Sequence, residues 1–321
     1  MAFTSVKSRV GNWPDGAVQA AYDQLFGYAF KASALLEPLV DKQPENPTSP
    51  GSSVTLRINQ FFNEASVLAA TTPLDEETDV TAAALPDTTS VTLTPTEYGM
   101  AVAATEKLNG RTLTPVNPVM ARLVGEHAKD VIDRLVEIEM RAATNKVYAK
   151  AGAVADNALG NADVVKATHI RRVVTKLRGG SVPTRDGQFY VGVFHPDQIH
   201  DLREETGSGA WRTPNEYGTN QSKIWNGEFG EFEGVRFVSN PKSLWAADLD
   251  AGATSASVYH GYILGREALA KAVVTPLQTV VTPVVDKLKR FYGLGWKADL
   301  DYSIYRQASI WQIASGSSLG A

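Results

Sequence analysis

The side chains that could do chemistry in this 321-residue chain are few, and their spacing suits none of the common reaction centres. The five histidines are His127, His169, His195, His200 and His260. His195 and His200 stand five residues apart around a proline, whereas a helical zinc site pairs histidines four apart. We therefore expect one histidine at a strand end and one on a helix surface. His127 and His169 are expected to be ordinary, partly buried histidines of amphipathic helices.

The densest group of carboxylates lies between residues 75 and 79. Asp75, Glu76, Glu77 and Asp79 could be mistaken for a calcium-binding loop. They lack the alternating oxygen ligands and the central glycine that such a loop needs. We interpret the run as a solvated acidic tip, so no metal site is predicted.

Glycine-rich turns and activated nucleophiles give no catalytic signal either. Gly227, Gly230 and Gly234 do not match the dinucleotide-binding spacing, and the acidic residues around them would repel a phosphate. Neither a P-loop nor a G-x-S-x-G motif occurs. The lack of cysteine excludes disulfides, thiolate metal ligands and cysteine nucleophiles. We predict no cofactor and no enzymatic activity.

Composition and charge narrow the class of protein further. Hydrophobic residues make up 43% and charged residues 21%, which is ordinary for a soluble globular protein. A net charge of −4 disfavours a protein whose main task is to grip phosphate backbones. No apolar run approaches the roughly 20 residues that span a bilayer, and the N-terminus lacks the apolar stretch of a signal peptide. We expect a chain that is made in a cytoplasm and has no membrane partner.

One basic surface contrasts with this acidic background. Residues 163–180 predict an amphipathic helix whose polar face carries Lys166, Arg171, Arg172, Lys176 and Arg178. Three interpretations are open, in decreasing order of preference. The face is solvated, or it contacts an acidic surface of another subunit, or it contacts nucleic acid.

A long acidic hairpin is the most informative feature. Residues 58–106 contain no Lys, Arg or His but eight carboxylates, and two strand-like runs over 53–62 and 89–105 bracket the acidic tip. Two strands alone bury too little apolar surface to be stable in water. A hairpin of one charge sign therefore suggests an arm that completes its packing on another molecule.

The strongest helix pattern begins at Asn117. Asn117 can cap a helix, Pro118 suits its first turn, and apolar residues then recur at helical spacing. The pattern predicts a single spine helix over 117–150, about 50 Å long at 1.5 Å per residue.

The remaining segments mix helices and strands without regular alternation. In chain order we predict an N-terminal arm and helix over 1–50, a strand and short helix over 187–206, a glycine-punctuated turn and strand over 227–241, a strand followed by a helix over 258–274, and two long strands after 278 joined near 288–292. An α+β fold is therefore favoured over a doubly wound sheet.

The order of these elements resembles that of a known family. Three local sequences add to the likeness: FHPDQIHDLREE ending at Glu205, WNGEFGEFEGVRFVSNP at 225–241, and YILGREALAKA at 262–272. The chain is similar to the major capsid proteins of tailed bacteriophages, which share the Hong Kong 97-type fold. Within them it resembles the group that includes the phage N-four coat protein.

The resemblance implies a division of the chain into the parts of that fold. These are an N-terminal arm and helix over 1–50, an extended loop (E-loop) over 51–110, a P-domain over 111–180 with the spine helix at 117–150, an axial A-domain over 181–260, and a return to the P-domain sheet over 261–321.

The resemblance also implies a function. It suggests a major capsid protein that self-assembles into pentamers and hexamers, forming the icosahedral head shell of a tailed double-stranded DNA phage. The protein would be made and assembled in the bacterial host cytoplasm and would end in the virion. Its partners would be other copies of itself, a portal and optional decoration proteins, and it would enclose DNA without sequence-specific binding. Only about 50 residues precede the loop, so we expect a separate scaffolding protein.

One departure from the family bears on how the shell is held together. Some relatives join subunits by a Lys–Asn isopeptide bond from a loop lysine, but residues 43–106 contain no lysine. Disulfides are also excluded because the chain has no cysteine. We therefore expect non-covalent contacts to hold this shell closed.

The expected contact places the acidic tip on a basic surface of the next subunit. Charge would set the register while apolar burial supplies most of the affinity. The alternative basic surface is the face of Arg122, Lys129 and Arg141. The predicted interface residues are Val67, Leu68, Leu74, Asp75, Glu76, Glu77, Asp79 and Leu85 on the loop, and Arg171, Arg172, Lys176 and Arg178 on the basic helix.

Two rival functions are open at the level of sequence. An encapsulin-like bacterial compartment would have the same fold but would package protein cargo. A cytosolic enzyme of small oligomeric state, with an unrecognised site, would assemble no further than a dimer or tetramer.

Overall fold

The computed structural model describes residues 35–41, 53–58, 73, 89–111, 116–185, 187–205, 228–241, 258–282 and 290–319. The acidic tip of the hairpin falls outside these residues, and so does the predicted N-terminal arm and helix except for residues 35–41, which contain a 3₁₀ turn at Glu37–Leu39. Helices and sheets are both present and do not alternate regularly, so the α+β prediction is confirmed.

Eleven strands and four α-helices lie within the described ranges. The strands are β1 (Val54–Ile58), β2 (Thr89–Leu93), β3 (Thr96–Thr105), β4 (Lys146–Tyr148), β5 (Tyr190–Phe194), β6 (Glu228–Phe232), β7 (Val235–Ser239), β8 (Tyr259–Leu264), β9 (Leu269–Thr282), β10 (Phe291–Ile304) and β11 (Ile310–Ser315). The helices are α1 (Glu106–Arg111), α2 (Val116–Arg141), α3 (Ala167–Gly179) and α4 (Pro196–Glu204). Among the described residues, no helix is long and apolar enough to cross a membrane.

The strands form three sheets of different size. A two-stranded sheet pairs β1 with β2, a three-stranded sheet has the order β3-β10-β9, and a six-stranded sheet has the order β4-β11-β8-β5-β7-β6. Pairing is antiparallel except between β11 and β4 and between β5 and β7. The predicted hairpin is confirmed over its first part, because β1 pairs with β2 from Val54↔Leu93 to Ile58↔Thr89. The rest of its predicted second strand is β3, which pairs with β10 in the three-stranded sheet instead.

Helix α2 packs on both larger sheets. Its side chains at positions 124, 128, 132, 136 and 140 repeat every four residues and are all buried. They share one core with Trp296 and Leu300 of β10 and with Tyr262 and Leu264 of β8. Burial of this one apolar stripe explains why the sequence forms a long helix here.

The predicted extent of the spine helix was wrong at its C-terminal end. Helix α2 ends at Arg141, and residues 146–148 form β4 instead of continuing to 150. The backbone amide of Gln312 donates to the carbonyl of Asn145 at 2.9 Å, and β4 pairs with β11. Val147 is buried in the second core, which the six-stranded sheet shares with α3 and α4. Beyond Arg141, the pairing of β4 with β11 at the edge of the sheet therefore outweighs the helical periodicity of the apolar residues.

A second correction concerns the segment over 258–274, which was predicted as a strand followed by a helix. The second half is the start of β9, and it pairs with β10 from Leu269↔Ile304 onward. Leu269, Ala270 and Ala272 are buried in that arrangement. The helix-forming residues of this segment are overridden by the tertiary environment, since β10 supplies a full ladder of hydrogen bonds.

The other predicted elements agree with the structure except over 227–241, where the predicted turn is preceded by a further strand, β6. Helix α3 covers the basic segment but begins at Ala167 rather than 163, and α4 begins at Pro196 as expected. The two long C-terminal strands are β9 and β10, and β11 follows as a strand that the sequence pattern did not separate. Gly295 of β10 is a close packing site, because a Cβ there would lie 2.7 Å from the carbonyl oxygen of Met100.

Two buried tyrosines differ in one hydrogen bond, which gives a stability prediction. The Tyr190 hydroxyl donates to the carbonyl of Val182 at 2.8 Å, whereas the Tyr262 hydroxyl has no hydrogen-bond partner among the described residues. Burial raises the pKa of both phenols, and the charge of Glu137 adds to the effect at Tyr262. We expect Tyr262→Phe to leave the free energy of unfolding unchanged or raise it by about 1 kcal/mol. Tyr190→Phe should lower it by about 1 kcal/mol. Urea unfolding of both variants tests this, and equal losses would contradict it.

Candidate subunit-interface surfaces

The hairpin stem formed by β1 and β2 has one apolar and one polar face. Leu56, Ile58 and Val91 are only partly buried on the apolar face, while Thr55 and Thr92 are exposed on the other. Leu93, at the base, is the only fully buried side chain among the described residues of these two strands. The stem therefore keeps an incompletely covered apolar face within its own subunit.

The base of the stem is held to the end of β10. The Thr94 amide donates to the Asp301 carboxylate at 2.7 Å, and the Tyr305 hydroxyl donates to the carbonyl of Arg57 at 3.0 Å. These bonds fix the direction in which the hairpin leaves the body. The described residues do not include the predicted loop residues Val67, Leu68, Leu74, Asp75, Glu76, Glu77, Asp79 and Leu85.

The basic face of α3 is only partly free. Arg171 pairs with Glu233 at 2.8 Å and lies 6.0 Å from the centre of the Phe232 ring. The Arg178 guanidinium lies over Gly234, where a Cβ would be 2.8 Å from Nη2. Arg172 and Lys176 are exposed, and neither has a partner among the described residues. Lys166 and Arg178 are exposed as well, so among the described residues Arg171 is the one cation of this face that forms an ion pair.

The alternative basic face on α2 is engaged within the subunit. Arg122 pairs with Glu126 at 2.8 Å, and Lys129 lies 3.2 Å from Asp130 and 3.6 Å from Asp133. Arg141, the third predicted cation, lies 3.9 Å from Asp156. Carboxylates of the same chain already neutralise these side chains. The α3 face is therefore the better candidate for the basic surface that contacts the acidic tip of another subunit.

The histidines have structural roles. His195 caps α4 by accepting a hydrogen bond from the Asp197 amide, and its ring stacks on Tyr259 at 4.4 Å between centroids. The side chain of His200 is 42% exposed on the surface of α4. The strand-end and helix-surface placements predicted for this pair are confirmed.

The two histidines of the amphipathic helices are also placed as expected. The indole N–H of Trp296 donates to Nδ1 of His127 at 3.2 Å. Nδ1 of His169 accepts from the backbone amide of Lys166 at 3.1 Å at the start of α3. In the described part of the chain, no group of three or more His, Asp or Glu is placed to hold a metal ion.

A buried polar cluster around His260 was missed by sequence reasoning. His260 is hydrogen-bonded to Gln312 and lies 3.4 Å from Asp156. Burial alone would raise the pKa of Asp156, but the hydrogen bond and charge of His260, with Lys146 and Arg141, bring that pKa below its usual value. Asp156 and Gln312 lie 104 and 52 residues from His260 in the sequence, so no local pattern could have revealed this cluster.

Comparison with known proteins identifies the chain. A family model described as phage capsid protein matches residues 37–298. The chain belongs to the phage capsid protein family. No curated protein matches it.

Solved capsids share the fold of this capsid protein. The capsid of Ralstonia phage GP4 is similar with a TM-score of 0.68 at 15% identity, over 87% of each chain. The cyanophage Pam1 capsid gives a TM-score of 0.66 at 14% identity, over 87% of this chain and 89% of that one. The capsid of cyanophage P-SCSP1u gives 0.63 at 14% identity, over 89% of each. The predicted Hong Kong 97-type fold is confirmed.

The family match also settles the class of function. This capsid protein is a structural component of a phage shell, and its place is the capsid of the virion. The role of major capsid protein is supported over the encapsulin-like compartment and the cytosolic enzyme.

Proposed function

We propose that the capsid protein forms homo-pentamers and homo-hexamers in which the acidic hairpin lies over the adjacent subunit. The observation that carries this proposal is the half-covered apolar face of the stem, at Leu56, Ile58 and Val91. A two-stranded sheet gains independent stability only when that face packs on something else. A second copy of the chain supplies such a surface at every position of a shell.

Charge gives the hairpin its register in this proposal. The acidic tip docks near Arg172 and Lys176 of the next subunit, where two exposed cations have no partner among the described residues. Exposed ion pairs contribute little free energy individually, so apolar burial supplies most of the affinity. With no loop lysine over 43–106 and no cysteine, the closed shell is held by non-covalent contacts.

The family resemblance supports a proposal for the remaining partners. The protein has no catalytic role, assembles in the bacterial host cytoplasm, and works with a separate scaffolding protein, a portal and optional decoration proteins. It encloses double-stranded DNA without sequence-specific binding. The net charge of −4 supports this last point, since a specific DNA-binding surface is usually strongly basic.

A pair of substitutions on opposite faces of the stem tests the proposal. Leu56→Asp should lower the yield of closed shells at least about tenfold, because each interface would bury an unpaired charge. Thr55→Asp places the same charge one residue away on the exposed polar face, so it should assemble normally. Circular dichroism checks that both subunits are folded, and electron microscopy counts the shells. Equal assembly of the two folded variants would contradict the proposal.

A further inference from the structure

Two short connections join the six-stranded sheet to the three-stranded sheet and contact each other. Strand β8 continues into β9 through residues 265–268, and β10 continues into β11 through residues 305–309. The Gly265 amide donates to the carbonyl of Ser309 at 2.7 Å, and the Tyr305 amide donates to the carbonyl of Ala268 at 2.9 Å. We call these residues the junction, because their conformation sets the orientation of one sheet relative to the other.

Asp41 binds directly to this junction. Its Oδ2 accepts the backbone N–H of Glu267 at 2.9 Å. Glu267 has a φ of 57°, in the left-handed region that is costly for a residue with a side chain. Its side chain also lies 3.3 Å from Nε of Arg306, on the second connection. The carboxylate of Asp41 therefore stabilises a strained residue at the centre of the junction.

Arg185 connects Asp41 to the six-stranded sheet. It lies shortly before β5, and its guanidinium is bonded to both carboxylate oxygens of Asp41 at 2.8 and 2.5 Å. It also donates to the carbonyls of Leu39 at 2.7 Å and Pro38 at 3.1 Å. Only 14% of the Arg185 side chain is exposed. A shielded, two-pronged contact of this kind is stronger than an ordinary surface ion pair.

The rest of the segment over 35–41 is anchored to other elements. The amides of Leu35 and Leu36 donate to the carboxylate of Asp133 on α2 at 3.2 and 3.0 Å. Glu37 pairs with Lys271 of β9 at 3.2 Å. Leu36 and Val40 are buried in the core beneath α2. One seven-residue segment thus contacts the spine helix and both larger sheets.

We propose that residues 35–41 are a lock that holds the angle between the two larger sheets, with Asp41 as its central group. While Asp41 is bonded to Arg185 and Glu267, the junction is closed and the two sheets behave as one body. Loss of these bonds frees the junction while leaving the hydrogen-bond ladders of both sheets intact. In a shell, the lock holds the two larger sheets at the same angle in every subunit. That consequence rests on the proposed function, whereas the lock itself does not.

Hydrogen exchange on the full-length, folded subunit tests the lock. Asp41→Asn should speed exchange of the amides over 265–268 at least about tenfold, the change expected when a charge-assisted hydrogen bond is lost. Amides in the middle of β8 should be unaffected. The matched control is Glu231→Gln, which removes the carboxylate charge that lies 2.9 Å from Arg236 within the β6–β7 hairpin. Exchange over 265–268 that is the same in Asp41→Asn and Glu231→Gln would overturn the proposal.

A second variant keeps the test decisive if Asp41→Asn does not fold. Arg185→Lys retains the positive charge but loses the fork that binds two carbonyls and the carboxylate. It should also raise exchange over 265–268 above that of the control, and unchanged exchange would overturn the lock. Electron microscopy then examines the shell: subunits with a released junction should give shells of mixed diameter. Uniform shells with faster exchange would contradict the shell consequence alone, and absence of shells from the unaltered protein would contradict only the proposed function.

Discussion

Deleting residues 67–85 should leave a folded subunit that forms no closed shells. The deletion removes the acidic tip and its apolar flank but keeps both strands of the stem, which are paired over Val54–Ile58 and Thr89–Leu93. If the hairpin lies over the adjacent subunit, its loss takes away apolar area that every contact in the shell needs. Light scattering and electron microscopy of the purified protein provide the measurement. Shells of normal size and yield would show that the loop is dispensable.

A variant that removes only the charges of the loop separates its electrostatic contribution to assembly from its apolar contribution. Replacing Asp75, Glu76, Glu77 and Asp79 with the corresponding amides keeps the loop length and the apolar flank. Because exposed charges set register more than affinity, we expect this variant to assemble more slowly but still to close. Complete loss of shells in the amide variant would show that charge supplies the affinity.

Gly316→Ala should produce the largest loss of stability among single substitutions considered for this chain. Gly316 follows β11, and a Cβ at this position would collide with the carbonyl group of Gly160. The obstructing atoms belong to the backbone and cannot rotate away as a side chain could. We expect the free energy of unfolding to fall by about 3 kcal/mol, at the upper end of the usual cost of overpacking. Fewer folded subunits would then reach assembly.

The control for this prediction is Gly179→Ala at the last residue of α3. A Cβ on Gly179 would meet no atom within 4 Å apart from its chain neighbours and the backbone of its own helix, and alanine favours a helix over glycine by about 1 kcal/mol. Gly179→Ala should therefore be neutral or stabilising in the same urea titration. A Gly316→Ala variant as stable as Gly179→Ala would contradict the close approach of the two backbone segments.

The parts of the fold that were predictable from sequence are those with local signals. Apolar periodicity located α2, and Pro196 marked the start of α4. The chain-wide order of elements identified the Hong Kong 97-type fold. Each element in that order was recognised from residues close together in sequence, which is why a single sequence was enough.

The errors occurred where distant residues decide the structure. The end of α2 depends on β4 pairing with β11, more than 160 residues away. The start of β9 depends on β10, because isolated residues 268–272 favour a helix. Neither strand pairing can be predicted from the residues that are close to it in the sequence.

The candidate interface was predictable to a similar degree. Charge patterns located both the acidic hairpin and the basic helix. They could not show that Arg171 is paired with Glu233 or that Arg141 lies beside Asp156. The role of Asp41 also could not be predicted, since its partners Arg185 and Glu267 are 144 and 226 residues away.

The central claim is that the hairpin of one subunit packs on the next subunit of a closed shell. Cryo-electron microscopy of the purified assembly, at a resolution that traces residues 53–105, tests it most directly. We predict a closed shell of pentamers and hexamers in which Leu56 and Val91 are buried against the neighbouring subunit. Dimers or tetramers as the only assembled form, or shells in which the hairpin packs on its own subunit, would contradict the claim.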